Sequence, residues 1–132
     1  MSKENDLVEL SEAESNIKMH WAKIMEYIKA KGSTAFIWEA ETHLKFIKKA
    51  AEAIEAIFRR LKASHEIDDT QFDKIILDVK NLASHLDNID GTYEWLQQTH
   101  NLLQQVILDV ERWKTTTKLI SRRAFLKAAG AA

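Results

Sequence analysis

Five histidines are the side chains of this sequence best suited to metal binding or acid–base chemistry near neutral pH. A metal site inside a helical bundle calls for Glu-x-x-His pairs on facing helices, because that spacing places both ligands on one helical face. The sequence contains no such pair, and Glu39 and His43, which are four residues apart, supply two ligands only. We therefore predict a solvated hydrogen-bonding pair at these positions, with no metal and no cofactor. The histidines are His20, His43, His65, His85 and His100.

Arg60 and His65 are the second arrangement that could carry chemistry, with an R-x-x-x-x-H spacing. This spacing resembles the core of the HEPN ribonucleases, a helical family whose arginine and histidine act at RNA phosphates. In that family a polar residue commonly follows the arginine and the motif begins a helix, whereas Leu61 follows here and Ser64-His65-Glu66 is typical of a helix end. The resemblance implies a ribonuclease, which we keep as an alternative. The favoured interpretation of His65 is a surface histidine near a helix end.

Other catalytic chemistry has no support in the sequence. The absence of cysteine excludes a thiolate nucleophile, a thiolate metal site and a disulfide, and it suits a reducing compartment. There is no glycine-rich phosphate loop and no known serine nucleophile motif. Trp21, Trp38, Trp95 and Trp113 lie at or near the apolar stripes of the predicted helices, which favours core packing over base stacking. We predict a protein that is not an enzyme.

Charge is divided unevenly along the chain. Residues 112–132 carry six basic side chains and no acidic one, which leaves 13 basic against 20 acidic residues, or a net charge of -7, for residues 1–111. A basic segment of this kind can approach anionic lipid, nucleic acid or the acidic body of another copy. Alternatively, its cations simply complement the negative pole of a helix dipole.

The basic segment also contains a motif. Residues 121–127 read S-R-R-x-F-L-K, which resembles the twin-arginine (Tat) signal of bacteria. The resemblance implies that a Tat translocase reads the two arginines, with the following apolar pair supporting recognition. It departs from the family pattern because about 120 residues, rather than a short basic stretch, precede the arginines. The predicted targeting or partner-binding residues are Ser121, Arg122, Arg123, Phe125, Leu126 and Lys127.

Two other interpretations of this motif stay open. Arg122, Arg123 and Lys127 could form a basic helical face, in which case Leu119, Phe125 and Leu126 would pack on the bundle or on a partner. The segment could also be an amphipathic helix that binds an anionic membrane surface. The first nine residues are polar and acidic, and no run of about 18 apolar residues occurs. We therefore expect a cytoplasmic protein, either free or held at the inner membrane.

The rest of the sequence predicts the helices that position these residues. Proline is absent and only three glycines occur, which favours an all-α protein. From Ile37 to Leu61 the apolar residues alternate in steps of three and four, the pattern of a coiled coil or bundle seam. A first helix precedes it, with Ser11 and Glu14 as a capping box and an end near Gly32. The two predicted stripes are Leu10, Ala13, Ile17, Trp21, Ile24 and Ile28, and then Ile37, Ala40, Leu44, Ile47, Ala51, Ile54, Phe58 and Leu61.

Two more helices follow. Asp68 is predicted to cap the third, which Gly91 stops, and Thr92 is predicted to cap the fourth. The third stripe is Phe72, Ile76, Val79, Ala83 and Leu86, widened by Ile75, Leu82 and Ile89; the fourth is Leu96, Thr99, Leu103, Val106, Val110 and Trp113, widened by Leu102 and Ile107.

Short connections at residues 31–34, 63–68 and 88–92 predict an up-down-up-down antiparallel four-helix bundle. The threonines at 115–117 lower helix propensity, so we place a boundary there: residues 1–115 form the bundle, and residues 116–132 form a basic segment that either extends helix four or is a truncated Tat-like signal. We expect an interaction or adaptor module with a protein partner, which includes a homodimer. The segment 116–132 would contact a membrane or the Tat translocase, and nucleic acid is the less favoured partner.

Overall fold

The computed structural model describes residues 3–31, 36–90 and 92–131, with side chains for 5–30, 40–90 and 92–117. In these ranges the chain forms four helices and no strand: α1 (Lys3–Lys31), α2 (Phe36–Ala63), α3 (Asp69–Leu86) and α4 (Tyr93–Ala131). Consecutive helices pack against each other, and a smaller contact between α1 and α4 closes the arrangement. The predicted all-α, up-down-up-down four-helix bundle is confirmed.

The predicted stripes of α1, α2 and α4 form the core. In α2 every predicted position from Ala40 to Leu61 is buried, and the side chain of Ile37 lies outside the described residues. In α4 all six predicted positions are buried, including Thr99. Trp21 and Ile28 of α1 are partly buried against the same core. Close packing of these side chains is what holds the helices together.

The face that α3 turns to the core lies within the predicted apolar face, on the side that Ile75 and Leu82 were expected to widen. Its buried residues are Ile75, Val79, Leu82 and Leu86, whereas the predicted Phe72, Ile76 and Ala83 are only partly buried. Both sets have helical spacing, and they overlap on the apolar side of a short helix. α3 packs against both α2 and α4, and the apolar residues that these two neighbours cover are the buried ones.

Two predicted helix starts are confirmed. The backbone N–H of Gln71 donates to Oδ1 of Asp68 at 2.8 Å, and the N–H of Trp95 donates to Oγ1 of Thr92 at 3.1 Å. Each bond satisfies an N–H group that has no partner inside its own helix.

Two other predicted boundaries are wrong. α1 begins at Lys3, so Ser11 and Glu14 lie inside the helix rather than at its cap. Nothing between Lys3 and Ser11 breaks a helix, and early acidic residues favour its positive end. α3 ends at Leu86, not at Gly91, because the N–H of Asp87 and the side-chain amide of Asn88 already donate to carbonyls of the last turn. Gly91 itself lies outside the described residues.

His65 ends α2 in a left-handed backbone conformation, with φ of 59°. The N–H of Glu66 donates to the Leu61 carbonyl at 2.9 Å, and the N–H of His65 donates to the Lys62 carbonyl at 3.1 Å. These two bonds define a Schellman motif, in which the residue at His65 is usually glycine because a Cβ atom is unfavourable there. His65 therefore occupies a position set by helix termination.

Replacing His65 with glycine should stabilise the protein by about 1 kcal/mol, because the left-handed conformation costs a residue with a Cβ atom roughly that much. The free energy of unfolding from urea titrations followed by circular dichroism measures the effect. His100→Gly is the matched control. His100 is exposed inside α4, so the same substitution should destabilise by about 1 kcal/mol. Destabilisation by both variants would contradict the assigned role of His65.

Candidate functional site

The three threonines before the twin-arginine motif do not interrupt α4, which continues to Ala131. Thr116 Oγ1 donates to the Arg112 carbonyl one turn earlier at 2.9 Å, and Thr117 is buried, four residues after the buried Trp113. Threonine is compatible with a helix when its hydroxyl bonds back in this way. The backbone of residues 121–127 is therefore helical, while the side chains of Ser121, Arg122, Arg123, Phe125, Leu126 and Lys127 lie outside the described residues.

α4 is much longer than the helix beside it. At about 1.5 Å per residue, its 39 residues span about 58 Å, against about 27 Å for the 18 residues of α3. The two helices begin their contact where His85 stacks on Trp95, with ring centroids 4.6 Å apart. At the other end, Trp113 Nε1 donates to the Glu66 carbonyl, before α3 starts, at 3.3 Å. The residues of α4 after Trp113 therefore extend beyond the first turn of α3.

Lys114 is the first cation of this extension and is bound to α1. Its Nζ forms an ion pair with the buried Glu14 and donates to Ser11 Oγ at 2.9 Å. Burial and a hydrogen bond with Glu111 raise the pKa of Glu14, and Lys114 opposes that shift. Ser11 and Glu14, expected to cap α1, thus hold α4 instead.

A second buried carboxyl group connects α4 to α3. Asp109 is 3% exposed, and Lys74 Nζ lies 3.5 Å from its Oδ1 and 2.7 Å from Oδ2 of Asp78. Burial and the neighbouring Asp78 carboxyl raise the pKa of Asp109 to about 7. Although burial opposes it, hydrogen bonds with Asp109 and Lys74 lower the pKa of Asp78. The two carboxyl groups thus share a proton in the acidic range, as closely spaced carboxyl pairs do.

A third buried carboxylate, Asp6, lies between α1 and α2. Arg60 donates from Nη2 to Asp6 Oδ1 and to Glu9 Oε2, both at 2.9 Å. Arg60, the arginine of the HEPN-like spacing, is therefore held by two carboxylates of α1. A phosphate at Arg60 would have to compete with these two carboxylates for the guanidinium group, and His65 lies beyond the end of the helix in the Schellman motif.

Three buried carboxyl groups connect neighbouring helices. Asp6, Glu14 and Asp109 are each buried, and each meets a cation from a neighbouring helix. Asp6 lies in the first turn of α1, Glu14 about two turns further along that helix, and Asp109 about one turn before Trp113 in α4. A buried charge is tolerated only where its partner is in place, so these pairs favour one register of the four helices.

The histidines form contacts that their spacing within one helix did not predict. His43 was expected to pair with Glu39, whose side chain lies outside the described residues. That prediction stays untested. A contact that was not predicted is that Nδ1 of His43 lies 2.9 Å from Nδ1 of His20, on the neighbouring α1. His85 contacts Thr99 through Nε2 at 2.7 Å. His20 and His43 lie at similar distances in sequence from the predicted connection at residues 31–34. In an antiparallel helix pair such positions lie side by side, and this symmetry could have predicted the His20–His43 pair from the sequence.

Trp95 and Trp113 are buried, and Trp21 packs against the core, as the core-packing interpretation predicted. The side chain of Trp38 is outside the described residues. Within the described part of the chain, no group of three or more His, Asp or Glu side chains is close enough to hold a metal ion.

No protein-family model, no curated protein and no solved structure matches this chain. Among the helices of the described residues, none combines the length and the apolar character that crossing a membrane requires.

The shared proton makes stability depend on pH. Since the pKa of Asp109 in the folded protein, about 7, exceeds its ordinary value of 3.8, this group favours folding at low pH, and the contribution is lost as pH rises from about 4 through 7. Asp109→Asn mimics the protonated carboxyl group and should remove that loss. Between pH 4 and pH 8, the free energy of unfolding of the variant should rise relative to wild type by roughly 1–3 kcal/mol, less than the full shift implies because Asp78 shares the proton.

Urea denaturation at a series of pH values measures this difference. Asp73→Asn is the matched control, since Asp73 is an exposed aspartate of α3. It should follow the wild-type pH dependence within about 0.5 kcal/mol. A pH dependence that is the same for Asp109→Asn and Asp73→Asn would show that Asp109 is ionised in the folded protein throughout this range.

Proposed function

We propose that this chain is a non-enzymatic interaction or adaptor module of the bacterial cytoplasm, which presents the basic segment 116–132 as a helical extension of its bundle. The observation that most supports this proposal is that α4 continues through the threonines at 115–117 to Ala131. The bundle fixes the start of the extension through Trp113 and Lys114, and the basic residues that follow are covalently continuous with it. The proposed site residues are Ser121, Arg122, Arg123, Phe125, Leu126 and Lys127.

The partner we propose is the machinery that reads twin arginines, at the cytoplasmic side of the inner membrane. The S-R-R-x-F-L-K sequence supports this choice, because simple electrostatic attraction requires cations but not two adjacent arginines. Lys114 is already paired with Glu14, so Lys118, Arg122, Arg123 and Lys127 are the cations that the sequence supplies for such a contact. A bundle of about 115 residues attached to the motif would then act as a tethered cytoplasmic domain.

Ribonuclease activity is the less favoured function. Arg60 lies between two carboxylates of α1, and His65 has the backbone conformation of a helix-terminating residue. Both observations give these residues structural roles that require no RNA.

The proposal predicts that the arginines are recognised as arginines. Arg122→Lys/Arg123→Lys keeps the charge but loses the planar guanidinium groups, so binding to inner-membrane vesicles that contain the Tat translocase should weaken by about 10-fold or more. The matched control is Lys118→Arg/Lys127→Arg, which changes the same number of cations in the same segment and should bind like wild type. Flotation of purified protein with the vesicles measures the bound fraction.

Vesicles of the same lipids without the translocase separate the alternatives. Equal binding of wild type and Arg122→Lys/Arg123→Lys to both kinds of vesicle, lost at high salt, would instead indicate attraction to anionic lipid. Deletion of residues 116–132 should abolish binding in either case. Binding that survives this deletion would contradict any role of the segment.

A further inference from the structure

α2 carries apolar side chains on its outer side as well as in the core. Phe46 is 46% exposed, and Ala53 and Ala56 are exposed as well. Together with Lys49, these positions follow one another in steps of three, four and three residues, the spacing of a seam between two helices. None of the four belongs to the core of the described residues. We call them the outer stripe of α2, and it has the form of a surface on which a second helix packs.

The outer stripe borders a groove between α1 and α2. His20 and Phe46 mark one end of the groove, where their rings stack. Glu9 and Glu12 lie toward the other end, where Arg60 donates to Glu9. Small side chains at a helix contact let the two helix axes approach to about 8 Å. Between the two ends, the residues that line the groove include Ala13, Ala50 and Ala53.

Phe46 is held in place before any partner binds. Its ring stacks on His20, with ring centroids 4.8 Å apart and an angle of 9° between the planes. Lys49 Nζ lies 5.9 Å from the centroid of the same ring. Ordering a side chain at an interface costs free energy, and a ring that is already supported avoids part of that cost. Phe46 is therefore suited to be the aromatic anchor of an interface.

The charge along the outer side of α2 changes sign near the middle of the helix. Lys45 and Lys49 precede that point, and Glu52 and Glu55 follow it. Lys45 and Glu55 already form ion pairs along α2. Among the described residues, neither Lys49 nor Glu52 forms one. An antiparallel copy of α2 would place the basic half of each helix against the acidic half of the other.

We propose that two copies of this chain form a symmetric dimer, in which the outer stripes of the two α2 helices pack antiparallel. Each Phe46 lies on Ala53 and Ala56 of the other copy, and each Lys49 faces Glu52 of the other copy. The two-fold axis passes between residues 50 and 51. Each contact therefore occurs twice, as in any interface formed by one surface with itself.

One register satisfies both contacts. At about 1.5 Å per residue, Lys49 and Glu52 lie about 2 Å from the axis on opposite sides, so each faces the other residue of the second copy. Phe46 lies about 7 Å from the axis. Ala53 and Ala56 lie about 4 and 8 Å from it on the opposite side, so the phenyl ring of the other copy falls between them.

Electrostatics favours this orientation over the parallel one. In a parallel pair, each Lys49 would face Lys49 of the other copy, and like charges at such an interface are unfavourable. Glu12 of α1 lines the groove on the side of Glu52. It adds negative charge near the place that Lys49 of the other copy occupies. The segment 116–132 takes no part in this interface, so the dimer does not depend on what that segment binds.

Sedimentation equilibrium of the full chain at several concentrations and low ionic strength tests the dimer. We expect a monomer–dimer equilibrium for wild type, and Phe46→Ala should weaken the dimer at least about 10-fold, because the anchor is removed from both halves of the interface. Leu77→Ala is the matched control, since Leu77 is 58% exposed on α3. It should associate like wild type. A wild type that is monomeric at every concentration would overturn the proposal.

Charge reversal tests the register. Lys49→Glu and Glu52→Lys should each weaken self-association at least about 10-fold, since each turns two attractive contacts into repulsive ones. A mixture of the two variants should form heterodimers more tightly than either variant associates with itself, because opposite charges then meet at both positions. Lys80→Glu reverses an exposed lysine of α3 and should associate like wild type.

Circular dichroism spectra of the variants verify that they fold. Self-association that neither Lys49→Glu nor Glu52→Lys weakens would overturn the proposed interface. Heterodimers no tighter than the dimers of the separate variants would overturn the antiparallel register.

Discussion

The packing of Trp113 against Phe58 fixes where α4 leaves the bundle. The two buried rings meet edge to face, with centroids 5.5 Å apart and planes at 84°. The indole N–H of Trp113 also donates to the carbonyl of Glu66, in the connection between α2 and α3. One side chain thus joins α4 to α2 and to the adjacent connection. An edge-to-face aromatic pair whose indole N–H is hydrogen-bonded strongly constrains the position of α4 at Trp113. The direction of the helical extension after Trp113 follows from this position.

The buried ion pairs are a second constraint on the position of α4, in addition to the contacts of Trp113. An apolar core is tolerant of small shifts along the helix axes, because one aliphatic contact replaces another. A buried carboxylate is less tolerant, since moving its partner away leaves an uncompensated charge. Glu14 meets Lys114 and Asp109 meets Lys74, so α4 is tied to a helix on each side. The register of α4 against both neighbours therefore decides the position of every later residue of that helix.

The sequence predicted those features that depend on local pattern. Asp68 and Thr92 cap helices through bonds that span three residues, and the seam of α2 alternates without ambiguity. The predicted apolar face of α3 contains all of its buried residues but is broader than the buried set, because two apolar stripes overlap and packing with the neighbouring helices decides which side chains are fully buried. Ser11 is of a residue type that often caps helices, but its hydroxyl accepts a hydrogen bond from Lys114, which is distant in the sequence. Pairs between helices, such as His20 with His43, require the register as well as the pattern.

The division of charge bears on what the extension can contact. Residues 5–17 of α1 contain Asp6, Glu9, Glu12 and Glu14 and no basic residue, so they would be the natural acidic surface for the basic segment of a second copy. Three of these acids are already paired within the chain, with Arg60 or Lys114. Arg60 and Lys114 supply two positive charges against the four acidic residues, so electrostatic attraction to the basic segment of a second copy is reduced at this face and not removed.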